Sequence, residues 1–247
     1  MKQELKSLEQ SLPNWIFVRG YDSKGRGVDL IRAAIAGLEN TPYRYGLFFF
    51  DILIPYDYPS KPPQLFYHSM GHSLNNPKLG QDGKVDVPFL QVPYRFNILE
   101  ILKFIQNSIL NYQECVPSSS RHELKKKRKY NLDQQEKKKV AVIFKQTCET
   151  MLSIMEKPPQ DFGDFVAAGY FRKWSNRILL CCKEEMQKHN SVMDLHFFFK
   201  LLKAFEANGS YCRHHYDHKL KSLIMNMDKD TERIDETFFE KLFKYMG

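Results

Sequence analysis

The sequence predicts an α+β domain with a C-terminal helical extension, on three observations. Four apolar runs rich in aromatic and β-branched residues follow one another before residue 70, each bounded by Gly, Pro, Asn or Ser. A segment over 70–95 follows, rich in Gly, Asn, Asp and Pro and without a regular period. From residue 98 onward, apolar residues recur at spacings of three and four, the period of a helix with one buried face.

The elements follow in chain order. Leu5, Leu8 and Leu12 share one face of a short amphipathic helix that Pro13 ends. "WIFVRGY", "VDLIRAAIAG", "GLFFFDILI" and "QLFYHS" read as consecutive antiparallel strands in a meander spanning about 15–69. Pro55, Pro59, Pro62 and Pro63 fix φ and remove donors, which stops the third strand and predicts an extended connection. After the irregular loop, Ile98, Ile101, Leu102, Ile105 and Ile109 form one apolar face. Val140, Ile143, Phe144, Cys148, Met151, Leu152 and Met155 form the next, and beyond Pro158 and Pro159 a third runs from Phe162 to Cys182. "SVMDLHFFFKLLKAFEA" and "TERIDETFFEKLFKYM" are two further helices, with Ser191 and Thr231 as expected N-caps. The expected units are a core over 1–115, a basic linker over 116–139, helices over 140–190 that complete or extend the core, and an extension over 191–247.

Composition limits what the protein can be. Hydrophobic residues make up 43% and aromatics 14% of 247 residues, too many for general disorder. The longest apolar runs, "LFFF" and "HFFF", fall far short of the roughly 20 residues of a membrane span, so no membrane partner is expected. The N-terminus lacks the basic start and apolar block of a secretory signal, and five cysteines without framework spacing argue for free thiols. Both point to the cytosol, with the nucleus as the other compartment. The net charge of +8 is concentrated over 121–139, where nine Lys or Arg stand against three Asp or Glu. Such a run reads first as a solvated linker entering a helix end. It lacks interleaved aromatic platforms, so nucleic acid is not the expected partner.

The stretch "TPYRYGLFFFDILIPYDYPSKPPQLFYHS" resembles the signature of ubiquitin-conjugating enzymes, with Thr41-Pro42-Tyr43, Gly46, Phe48, Asp51, Pro55, Tyr58, Pro59, Pro62 and Pro63 in place. Downstream, "GKVDV" is similar to the Gly-Lys-Val-Cys-Val around that family's catalytic cysteine, and "ILKFIQNSIL" to the helix that follows it. "LPNWIFVRGY" and "PPQDFGDFVAAGYFRKW" resemble the large hybrid conjugating enzyme/ligase proteins of animals and the plant phosphate-homeostasis conjugating enzymes. The resemblance implies a UBC-like fold: an N-terminal helix, a four-stranded antiparallel meander, an active-site loop and then helices.

Two departures fall on the family's chemistry. Asp86 occupies the place of the cysteine that accepts ubiquitin as a thioester, and Lys78, eight residues earlier in "NPK", occupies that of the oxyanion asparagine. A thiolate exchanges thioesters almost without a free-energy change, whereas a carboxylate would have to form a mixed anhydride, uphill and quickly hydrolysed. Losing one oxyanion donor costs about 2.7 to 4 kcal/mol by itself, unless the Lys78 ammonium takes over that charge. An Asp86–Lys78 ion pair would contribute only about 0 to 1 kcal/mol at an exposed site. The resemblance therefore implies no catalytic residue and no cofactor, and an inactive variant that binds ubiquitin, an active conjugating enzyme or a ligase through its surface. Leu5, Pro59 and Lys61 fall in the family's contact surface for activating enzymes and ligases, together with the loops "YDYPSKPP" and "VPFLQVPYRF".

Other side chains of chemical interest lie further along the chain. "CRHHYDH" offers Cys212, His214, His215 and His218, with His214 and His218 on one face of a helix; without finger spacing it reads as polar helix surface, not a metal site. Cys181 and Cys182 are adjacent, cannot act as CxxC and read as core thiols. Cys115 is the thiol next along the chain from the site, with no base or oxyanion donor beside it. Phe197, Phe198, Phe199 and Leu201 read as helix core. The alternatives to an inactive module are an active ubiquitin transferase by a non-standard route and a basic nucleic-acid-binding adaptor using residues 125–129.

Overall fold

The computed structural model describes residues 8, 10–22, 25, 28–72, 74–79, 82–85, 87, 97–111, 126–188 and 191–222, with the backbone alone over 126–134. Four strands, β1 (Ile16–Tyr21), β2 (Leu30–Ala36), β3 (Leu47–Leu53) and β4 (Gln64–Tyr67), form one antiparallel meander in the order β1-β2-β3-β4. Each expected strand run contains one of them. Helix α1 (Ile98–Phe104) continues as a wider π-wound turn (Ile105–Ile109), α2 covers Lys126–Glu156, a second π-wound stretch (Phe165–Phe171) feeds α3 (Arg172–Met186), and α4 covers Leu195–Ala207.

The register explains why helices must lie on both faces of the sheet. With Ile31 opposite Ile52 and Ala33 opposite Phe50, alternation sends Ile31, Ala33, Ile35, Phe48, Phe50 and Ile52 to one face. There they bury Ile98, Ile101, Leu102, Ile105 and Ile109 of α1 and its continuation, together with Leu8. Ala34, Ala36, Leu47 and Phe49 point the other way into a second core with Phe162, Val166, Tyr170 and Phe171. Rings fix this layer: Phe49 meets Phe162 edge-on at 5.0 Å, Phe17 lies 4.4 Å from Phe165, and Tyr45 stacks on Trp174 at 5.2 Å. The far half of this face stays polar: Arg32 holds both oxygens of Asp51 at 2.8 and 2.9 Å, and His68 approaches the same carboxylate at 2.9 Å. Burial opposes that charge, yet the Arg32 and His68 contacts outweigh it and hold the Asp51 carboxyl at about 2.

A partly buried ion pair ties the turn before β3 to α3. Arg44 Nη2 donates to Glu185 Oε1 at 3.0 Å, and the Arg44 guanidinium lies 3.9 Å over the Phe144 ring of α2. Burial works against the Arg44 charge, but contacts with Cys181 and Glu185 raise its pKa nonetheless. Lys188 gives Glu185 a second cation at 2.6 Å.

Five expectations change. The proline-rich connection coils into turns, with the Tyr58 N–H on the Pro55 carbonyl and those of Ser60 and Lys61 on Asp57, because its remaining donors find carbonyls one turn back. The 70–95 segment is not all loop, since Gly83, Lys84 and Val85 pair with the outer edge of β4. The basic stretch assigned to a linker over 116–139 is helical from Lys126 onward, because it is continuous with the periodic stretch that packs from Ile143. Asp194, not Ser191, caps α4, taking the Phe197 N–H at 2.8 Å; the Ser191 hydroxyl turns to the Met193 backbone. "CRHHYDH" is not a polar helix surface: only Arg213–His215 winds, as one 3-10 turn, and Cys212 and His215 are buried. Thr231 lies outside the described residues.

His215 and His214 sit 4.2 Å apart and share the Asn176 amide oxygen of α3 at 2.8 and 2.7 Å. An amide oxygen only accepts, so each Nε2 carries the proton. Burial first, then His214 and Lys183, push the His215 pKa down from 6.5 to about 4.

Two predictions follow from this packing. Glu185→Ala strands the Arg44 charge and is expected to cost about 3 kcal/mol, read as a lowered urea midpoint with unchanged m-value. For His215 the native state refuses a proton that the unfolded chain accepts, so stability is full above about pH 6.5 and falls as pH drops toward 4. The loss should reach about 2 kcal/mol in urea titrations, and His215→Gln should flatten the slope in that window.

Candidate functional site

The site is built on the outer edge of β4. Gly83, at φ +80°, delivers its carbonyl to the Tyr67 N–H at 2.6 Å, and a Cβ there would stand 2.8 Å from the Tyr67 carbonyl oxygen. Only glycine meets both demands. The Lys84 N–H binds the Asp82 carboxylate at 3.0 Å, and the Val85 N–H binds the Leu65 carbonyl at 3.0 Å. Val85 and Val87 are buried in the α1-side core, whereas Lys84 is exposed. "GKVDV" is therefore anchored by its glycine and both valines. Asp86 lies between them in sequence and outside the described residues, as do Leu5 and Cys115.

Lys78 is held from two sides. Its N–H donates to the Asn76 Oδ1 at 3.0 Å, while its Nζ donates to the Ser108 carbonyl at 3.3 Å and sits 5.7 Å from the Phe104 ring centre. Leu79 next to it bridges Val85, which brings the "NPK" and "GKV" segments side by side. The residue that organises this turn is Asn76, which the sequence reading passed over. Buried, it donates through Nδ2 to the Tyr43 hydroxyl at 3.2 Å and the Ile109 carbonyl at 2.7 Å. It thus ties the turn to "TPY" and to the end of the π-wound segment. An asparagine just before a proline, in a run of turn residues, was the available signal.

The described thiols lie elsewhere. Cys148, Cys182 and Cys212 are buried in the second core, on the sheet face away from Val85 and Val87, and Cys181 packs against that core. Cys148 and Cys182 face each other at 3.9 Å, and this contact, together with burial, raises the Cys182 thiol well above its usual range. Burial pushes Cys212 to about 12; it also raises half-buried Cys181, against the opposing pull of Arg44. Thiols held protonated are poor nucleophiles.

The expected contact surface is in part described. Pro59 and Lys61 are exposed on the 56–61 turns, where Lys61 pairs with Asp57 at 2.9 Å and Tyr56 is 95% exposed. Cys212 and His215 are drawn inward, apart from exposed His218, and among the described residues no group of three or more His, Cys, Asp or Glu could hold a metal ion. Phe198 and Leu201 are core, while Phe197 and Phe199 lie half-buried under Lys145 and Lys203. The geometry predicts that Asn76→Ala, which removes the acceptor of the Lys78 N–H and the donor to the Ile109 carbonyl, costs about 2 kcal/mol by chemical denaturation.

The family model for ubiquitin-conjugating enzymes matches residues 1–144 of this chain. The chain is 36% identical over 198 residues to "Probable ubiquitin-conjugating enzyme E2 23" of Arabidopsis thaliana, covering 75% of this chain and 17% of that protein. It is 36% identical over 199 residues to "Putative ubiquitin-conjugating enzyme E2 38" of the same plant, covering 74% and 57%. Over 126 residues it is 34% identical to the human "Dual E2 ubiquitin-conjugating enzyme/E3 ubiquitin-protein ligase BIRC6", covering 44% and 2%. The chain thus spans only part of each relative's length. The match runs through the meander, the β4-edge segment and α1, and the chain belongs to the ubiquitin-conjugating enzyme family.

Proposed function

We propose that this family member is a conjugating-enzyme variant that forms no thioester and acts as a non-covalent binding module for ubiquitin, or for an active conjugating enzyme or ligase, in the cytosol or nucleus. The observation that carries the reading is Asp86 in "GKVDV", between two valines that anchor the segment where the resemblance expects a cysteine. Two further findings support it. The Lys78 ammonium at the oxyanion-asparagine position is engaged with the Ser108 carbonyl, and the four described cysteines belong to the core on the other sheet face.

A binding role needs open surface, and the described residues offer two areas. One is the 56–61 turn region, with Tyr56, Pro59 and Lys61. The other is the far half of the second sheet face, where Arg19, Leu53 and Gln64 are exposed around the Arg32–Asp51 pair. The near half, with Ala34, Ala36, Leu47 and Phe49, is covered by the helix that leads into α3 and offers a partner nothing.

Two measurements test this. Titrating the protein into isotope-labelled ubiquitin, and separately into an active conjugating enzyme, should give saturable binding to at least one; binding to neither refutes the module. Asp86→Cys restores the sulfur, and on incubation with activating enzyme, ATP and ubiquitin it should acquire an adduct that reductant removes, with a larger yield when Lys78→Asn is added.

A further inference from the structure

We propose that the first half of α2, residues 126–139, is a cationic rail that binds the phosphate walls of duplex DNA in the major groove, without dependence on base sequence. The segment "KKRKYNLDQQEKKK" carries seven Lys or Arg against Asp133 and Glu136. As a linker it would be a diffuse charge. In a 31-residue helix its positions fall on set faces of the backbone.

Helical geometry sorts the charges. At 100° per residue, positions 126 and 137, 127 and 138, and 128 and 139 repeat after eleven residues, about three turns and roughly 16 Å along the axis. These six cationic positions occupy an arc of about 220°, and Asp133, Glu136 and Lys129 fall in the remaining arc. Within the cationic arc the other positions are Tyr130, Asn131, Gln134 and Gln135, none of them acidic. Lys137, Lys138 and Lys139 are exposed, and among the described side chains of α2 those in the two cores begin at Ile143.

The same positions decide between partners. A membrane-surface helix needs a continuous apolar face, and a helix docked in a protein groove needs apolar anchors at spacings of three, four and seven. Tyr130 and Leu132, two residues apart, supply neither. Phosphate backbones need only spaced cations. The B-form major groove, about 12 Å wide, admits a helix between two phosphate walls, and an arc of about 220° gives each wall a row of cations: 126 and 137 on one flank, 128 and 139 on the other. The major groove of duplex RNA is too deep and narrow for such a helix.

Fluorescence anisotropy with a labelled mixed-sequence DNA duplex of about 20 base pairs tests this on the whole protein. The logarithm of affinity should fall against the logarithm of salt concentration with a slope of about −4 to −5, as expected for about five phosphate contacts. Replacing Lys126, Lys127, Arg128, Lys137, Lys138 and Lys139 with Gln, a good helix former, should preserve helicity by circular dichroism, weaken binding at least about 100-fold and flatten the slope. The same number of replacements at exposed Lys103, Lys157, Arg172, Lys200, Lys219 and Lys221 should leave more than half of that slope in place. No binding at low salt, equal losses in the two variants, equal affinity for duplex RNA, or stronger capture by phosphatidylserine vesicles than by DNA would each overturn the assignment.

Discussion

A strand that buries side chains on both faces has to be covered twice, and β3 imposes that demand on the whole protein. Phe48, Phe50 and Ile52 need α1 and the N-terminal segment; Leu47 and Phe49 need the stretch before α3. Either layer removed would expose large apolar groups at about 1.5 to 3 kcal/mol per side chain. The described helices that pack beyond residue 140 are therefore bound into the sheet domain. Arg44, gripped between the Phe144 ring and Glu185, fixes how that second layer sits against the turn before β3.

On the first face the same sheet positions the β4-edge segment, whose frame is held by contacts on either side of position 86. Gly83, Val85 and Val87 hold the "GKVDV" segment as β4-edge pairing and core burial require. Asn76 holds the neighbouring turn against Tyr43 and Ile109. None of these contacts depends on the residue at position 86 being a nucleophile. The frame can therefore outlast a change of side chain at that position.

Much of this was legible in the residues. The four strands announced themselves because each aromatic or β-branched run ends at a residue unfit to continue it, as at Gly37 and Pro55. What escaped was set by contacts rather than pattern. Ser191 and Asp194 both satisfy the rule for a cap, and only the entry path to α4 selects Asp194. The 126–139 stretch has no apolar period to reveal a helix, and it is continuous with the residues after Val140 that do pack. Gly83 to Val85 pair over too few residues to show alternation, and Asn76 is distinguished by two distant partners, Tyr43 and Ile109, that no local spacing discloses.

The account rests on the carrying position being unable to hold an acyl group. Intact-mass spectrometry of the native protein, after incubation with activating enzyme, ATP and ubiquitin and quenching without reductant, addresses that directly. The account predicts the unmodified mass at all times. A species heavier by one ubiquitin, lost on reduction and absent in Cys115→Ser, would contradict it.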